Sequence, residues 1–234
     1  MEKEVKKKGK ILLFVLIIIL ILAGGFTWYV NDYYHAEPDA IKVLNEENIE
    51  INKNTIVLKG SSDIGIIFYP GAKVEAESYL PLLSKLRNRG FNTILVKMPF
   101  NMAIFNANAA DKIINENTDI KHWYIAGHSM GGAMASSYAA KNQDKVEGLI
   151  LLGSYIYGDY PEDKALTIYG SLNQSVEDKI NYTKNIIEIE GGNHAQFGNY
   201  GFQKGDLEAT ISSEEQQDIS VDAIDLFITL RSVD

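Results

Sequence analysis

The chain predicts an α/β fold: a mostly parallel central sheet with helices on both faces, preceded by one N-terminal transmembrane helix. Three observations lead there. Short apolar runs alternate with helical patterns from about residue 55 onward, as crossovers between parallel strands require. A serine with glycines at minus two and plus two, Gly127-His128-Ser129-Met130-Gly131, follows directly on the apolar run Trp123-Tyr124-Ile125-Ala126. Twelve consecutive Ile, Leu, Phe and Val residues, Ile11 to Leu22, stand behind five lysines.

With Ala23 to Val30 the N-terminal apolar stretch reaches 20 residues, about 30 Å as a helix and so the thickness of a bilayer core. Lys3, Lys6, Lys7, Lys8 and Lys10 form a basic tail over residues 1–10 that holds this end in the cytoplasm. Residues 11–30 are then a single-pass anchor in the cell membrane, and the rest of the chain is extracytoplasmic. Trp28, Tyr29, Tyr33 and Tyr34 fall where an interfacial aromatic belt belongs. A cleaved signal peptide is the competing reading, but no small-x-small site follows the apolar run.

Residues 31–50 are polar, contain Pro38, and are expected as a spacer. Residues 51–234 are expected as one catalytic domain, about 200 residues being enough for a sizeable core. Its strands are expected at 55–58, 64–69, 91–97, 123–126, 146–152, 165–169 and 186–189. Its helices are expected at 79–89, 109–117, 131–141 and 213–230, the last capped by Ser212 or Ser213 with Glu215. The 131–141 helix is rich in Gly and Ala, as close packing on a sheet demands.

Composition removes several classes of function. Outside the anchor and its tail the chain has 17 basic against 29 acidic residues, a balance of −12. That charge disfavours nucleic acid and anionic lipid surfaces as partners. The chain has no cysteine, in keeping with an exported protein that uses no disulfides. No cluster of His, Cys or carboxylates has metal-ligand spacing, and no phosphate-binding glycine motif occurs, so no cofactor is expected.

The serine motif carries the chemistry. Three fixed residues of roughly 7% abundance each arise by chance about 0.1 times in such a chain, so its setting matters. At the end of a strand it forms a nucleophile elbow, a turn into a helix so sharp that the flanking positions have no room for a Cβ. The serine Oγ then stands above the sheet, and the next amide points at the same reacting atom.

From about residue 55 onward the chain resembles the α/β-hydrolase superfamily, most of all its compact, lid-less, dienelactone-hydrolase-like bacterial members. The matching pieces are Tyr69-Pro70-Gly71-Ala72, the Gly127–Gly132 elbow, Ile168-Tyr169-Gly170, and Gly191-Gly192-Asn193-His194. The resemblance makes Ser129 the nucleophile and His194, on the loop after the last strand, its base. His35 lies in the spacer, His122 before a strand, and His128 inside the elbow, pointing away from Oγ. The oxyanion hole would use the amides of Met130 and Ala72, with Lys73 as the alternative to Ala72. The family places an aspartate three residues after the glycine that ends the late strand, and here that position is Asn173. An asparagine can orient an imidazole but cannot stabilise its cation by charge. The alternatives are Asp159 from the preceding loop, or Glu177 or Asp178.

Only ten residues, Tyr155 to Lys164, separate two late strands where relatives insert a lid. The stretch Asn101-Met102-Ala103-Ile104-Phe105 is either an acyl pocket or buried filler. Gln203 and Asp206 belong to a loop expected to overhang the site. These readings imply a serine hydrolase of carboxylic esters or related acyl bonds, acting on a small acyl substrate. The alternative is a catalytically impaired domain of the same fold that binds a ligand or protein.

Overall fold

The basic tail and the apolar run behind it continue as one long helix, α1 (Glu2–Asn31). The computed structural model describes residues 2–231, and side chains from residue 8 onward. Lys3, Lys6 and Lys7 of the expected basic tail therefore fall outside the described side chains, and residues 232–234 lie outside the described residues. Lys8–Asn31 is long and apolar enough to cross a membrane, and the side chains from Ile11 to Leu22 are all exposed. The chain divides into two compact units at residues 33/34.

The second unit is built on eight strands: β1 (Ile49–Ile51), β2 (Thr55–Leu58), β3 (Ile64–Tyr69), β4 (Asn92–Val96), β5 (His122–His128), β6 (Gly148–Leu152), β7 (Ala165–Gly170) and β8 (Ile186–Ile189). They form one sheet in the order β1-β2-β4-β3-β5-β6-β7-β8. From β4 to β8 all neighbours are parallel, and β2 pairs antiparallel with both β1 and β4. The helices are α2 (Pro38–Lys42), α3 (Leu80–Asn88), α4 (Ala109–Glu116), α5 (Met130–Lys141), α6 (Gln174–Glu177) and α7 (Ser213–Arg231).

The central strands are apolar throughout because both faces of the sheet are covered. Alternate residues feed two separate cores. Ile66, Phe68, Ile150 and Leu152 enter one, with Leu83 of α3 and Ile224 of α7. Ile67, Leu149 and Leu151 enter the other, with Ala135 of α5 and Ile113 of α4. The expected cap of α7 forms, since Ser212 Oγ accepts the Glu215 N–H at 3.1 Å.

Most of the expected spacer is not one. Residues 34–50 belong to the second unit. Tyr34 N–H donates to the Lys73 carbonyl at 2.7 Å and its carbonyl accepts Glu75 N–H at 2.9 Å. Ala40 is fully buried, Val43 joins the core beneath α3, and β1 adds an edge strand. Polar composition concealed the few apolar residues that dock this segment.

Candidate active site

β5 delivers Ser129 to the C-terminal end of the sheet in a conformation most residues avoid. Ser129 has φ +53° and ψ −123°, and α5 starts at the next residue. Such backbone strain persists only where its surroundings enforce it. Ser129 N–H donates to the Leu152 carbonyl at 3.0 Å, fastening the turn to β6. A Cβ on Gly127 would lie 2.5 Å from the Gly131 carbonyl carbon, and one on Gly131 would lie 2.1 Å from the Tyr69 carbonyl oxygen. Both glycines of the motif are therefore steric requirements.

His194 stands on the turn after β8. Its N–H donates to Asp206 Oδ1 at 3.2 Å, and the next amide, Ala195 N–H, donates to Asp206 Oδ2 at 2.7 Å. Asn193 anchors the turn from below, donating N–H to Gln216 Oε1 at 2.9 Å and Nδ2–H to the Leu207 carbonyl at 2.8 Å. Burial lowers the pKa of the His194 imidazole below its ordinary value, and the Asp206 charge partly opposes that.

The residue three after Gly170 meets this imidazole, as its position in the sequence implies. Asn173 is buried, and its Nδ2 lies 2.7 Å from His194 Nδ1, while its Oδ1 accepts the Ser175 hydroxyl at 2.9 Å. In that arrangement Nδ1 accepts, so the ring proton sits on Nε2 and the ring cannot take a proton there. Half a turn of the amide presents Oδ1 to Nδ1–H and Nδ2–H to Ser175 Oγ. Because a hydroxyl both donates and accepts, the second arrangement keeps every hydrogen bond. It leaves Nε2 free to act as a base.

The loop after β3 completes the site. Lys73 N–H is committed to the Asn101 carbonyl at 2.8 Å. The Ala72 N–H makes no hydrogen bond among the described residues. Met130, first residue of α5, has one of the amides a helix start leaves unpaired. Gly71 N–H donates to Tyr79 Oη at 3.1 Å, and that hydroxyl donates to His128 Nδ1 at 2.8 Å. His128 Nε2–H then donates to the His194 carbonyl at 2.9 Å. The directions follow from the end of the chain, because a carbonyl can only accept. Burial drives the His128 pKa well below its ordinary value, the neighbouring His194 adds to that, and the ring is neutral. The two imidazoles lie with centroids 4.6 Å apart and their planes tilted by 42°.

Ser129, Met130, Asn173, His194 and Asp206 share the wall of one cavity of about 410 Å³, with Tyr155 and Lys204 also on it. Ala72 is not part of that wall. Asp159 stands apart: it is exposed, and its carbonyl accepts Gln143 Nε2–H at 3.2 Å, beyond the end of α5. Met102 and Ala103 are buried, while Ile104 and Phe105 are exposed, and none of them lines the cavity. The Tyr155–Lys164 segment contains one short 3-10 turn, Glu162–Lys164, and is pinned by Tyr157 N–H to Ser136 Oγ at 2.8 Å.

Sequence reasoning missed the Tyr79–His128 bonds, Ser175 and the contact between Asp206 and the histidine turn. None has a local signature. The single available signal was Asp206 in the loop just after His194.

A strained serine at a strand-to-helix elbow and an imidazole on the last sheet loop, facing one cavity, define an α/β hydrolase. The chain belongs to the alpha/beta hydrolase family, whose model matches residues 65–218. Among solved structures it is similar to a monoacylglycerol lipase of Paleococcus ferrophilus, with 13% identity and a TM-score of 0.55 over 76% of this chain and 100% of that one. Est1E of Butyrivibrio proteoclasticus is comparable, at 14% identity and TM-score 0.54 over 80% of this chain and 98% of the other. A hormone-sensitive lipase from a metagenome library has 12% identity and a TM-score of 0.55, over 83% of this chain and 92% of its own. At these identities the likeness is one of fold. In sequence, a Mycobacterium phage D29 protein named provisionally as a non-heme haloperoxidase is 24% identical over 136 residues, 50% of this chain. The chain spans about half the length of that relative, 49%.

Proposed function

We propose that this chain is a serine hydrolase that cleaves carboxylic esters or related acyl bonds of small-molecule substrates through an acyl-enzyme on Ser129. The observation that carries the reading is the common cavity of Ser129 and His194, with the imidazole held at Nδ1 by Asn173. His194 Nε2 takes the Ser129 hydroxyl proton as Oγ adds to the substrate carbonyl. The oxyanion accepts hydrogen bonds from the Met130 and Ala72 amides. Collapse expels the alcohol, which leaves with the proton from His194. Water then gives a proton to His194 and its oxygen to the acyl carbon, and Ser129 recovers its proton as the acid departs. The test is labelling by a fluorophosphonate probe: the wild type should react, and Ser129→Ala should not.

A second reading has an observation of its own. Asn173 stands where the family places a carboxylate, and Nδ2 faces the imidazole, which favours the tautomer that cannot act as a base. A domain locked in that arrangement would bind a ligand or protein partner without turnover, and an unlabelled wild type would select this reading.

α1 supports a membrane-anchored enzyme with residues 11–30 in the bilayer and the hydrolase domain on the extracytoplasmic side. Protease treatment of intact cells should digest the domain while sparing the N-terminal tail.

A further inference from the structure

We infer that the work of the usual triad carboxylate is divided here between two residues: Asn173 orients the His194 ring, and Asp206 supplies the negative charge. The inference rests on the hydrolase reading above and adds Asp206 to it as a positioning residue. An imidazolium forms at His194 in each half of the reaction, inside a site whose burial disfavours it. Asn173 is neutral and offers only a dipole. The groups that face the ring are few. His128 packs against it at a tilt from the elbow and is kept neutral by burial. Asn173 approaches from the loop after β7. Ser129 and Tyr155 share the cavity wall from the elbow and from the loop after β6. Lys204 is also on that wall, but as a cation it works against an imidazolium.

Asp206 is the anion among these wall residues. Its two oxygens grip consecutive amides, those of His194 and Ala195, and Oδ1 also accepts its own neighbour's Leu207 N–H at 3.0 Å. Three amide donors hold the carboxylate against the turn that bears the imidazole. The charge is thus fixed beside His194 without a bond to the ring, leaving Nδ1 to Asn173.

Two roles make different predictions. If Asp206 only ties down the turn, Asp206→Asn lowers activity at every pH alike. If it supplies charge, the same substitution lowers kcat/KM about tenfold and also moves the acid limb of the pH profile to lower pH, because the imidazole loses the anion that favoured its proton. Asn173→Asp should then restore most of the loss in the Asp206→Asn background, while giving a smaller gain in the wild-type background. The measurements are pH profiles of kcat/KM on a short-chain p-nitrophenyl ester for the four proteins, with thermal melts run alongside. An acid limb that stays in place in Asp206→Asn, or no rescue by Asn173→Asp in a variant that melts like the wild type, overturns the division of roles. A wild type that neither turns over the ester nor takes the fluorophosphonate label overturns the hydrolase reading instead.

Discussion

The turn after β5 and the turn after β7 reach the same cavity from strands on either side of β6, and they are specified in different ways. At the elbow, carbonyl oxygens stand so near Gly127 and Gly131 that no side chain fits, and the backbone of Ser129 is bent into a disfavoured region. Sterics alone dictate those residue types. Asn173 has an ordinary negative φ of −108°, and its orientation depends on hydrogen bonds to Ser175 and His194. The elbow is therefore defined by local geometry, whereas the placement of Asn173 depends on His194, a partner distant in the chain.

Substitutions at the two turns should fail in correspondingly different ways. The largest effect belongs to Ser129. Replacing it by Gly should remove activity by about 10⁵-fold or more, yet raise stability by about 1 kcal/mol through relief of the positive φ. Ester turnover and denaturant melts would measure both, and a destabilised Ser129→Gly would contradict the strain at the elbow. Gly131→Ala, whose new methyl collides with the Tyr69 carbonyl, should destabilise by about 3 kcal/mol. A melt unchanged from the wild type would show that the turn can yield.

At the other turn, changes should tune activity. Asn173→Asp should raise kcat/KM by about threefold, less than it gains in the Asp206→Asn background, since the new carboxylate fixes the productive tautomer and adds charge to that of Asp206. It should also move the acid limb to higher pH. Asp159→Asn should change neither, and a loss of activity there would return the acid role to the loop after β6.

Proton linkage gives a smaller effect. Burial lowers the pKa of both His128 and His194, so below the ordinary histidine value of about 6.5 the unfolded chain binds protons that the folded one refuses. Stability should therefore be fully present above that pH and fall as pH drops below it. Activity depends on the folded His194 alone, so its acid limb should lie below 6.5 as well. Thermal melts and rate profiles from pH 8 to pH 5 would check both signs.

The same contrast explains what could be read from the chain. The order of strands and helices, the elbow and the base histidine follow from periodicity, glycine placement and a resemblance in motif spacing. The position of Asn173 followed from counting on from Gly170, but its choice of partner atom did not, because an amide presents a donor and an acceptor of nearly equal shape. Residues 34–50 looked like linker because their docking residues, Tyr34, Ala40, Val43, Leu44 and Ile49, are few among acidic and amide side chains, and the helix among them has only five residues. The link from Gly71 through Tyr79 and His128 to His194 joins four separate segments, and no window along the sequence contains it.

That link ends on the His194 carbonyl, which has no proton to release. Its orientation is consequently fixed: with His128 neutral, Nε2–H must point to the His194 carbonyl, and Nδ1 must accept from Tyr79. The string of polar groups resembles a conducting wire but is closed at one terminus, so it serves as a brace that ties the loop after β3 to the turn after β8.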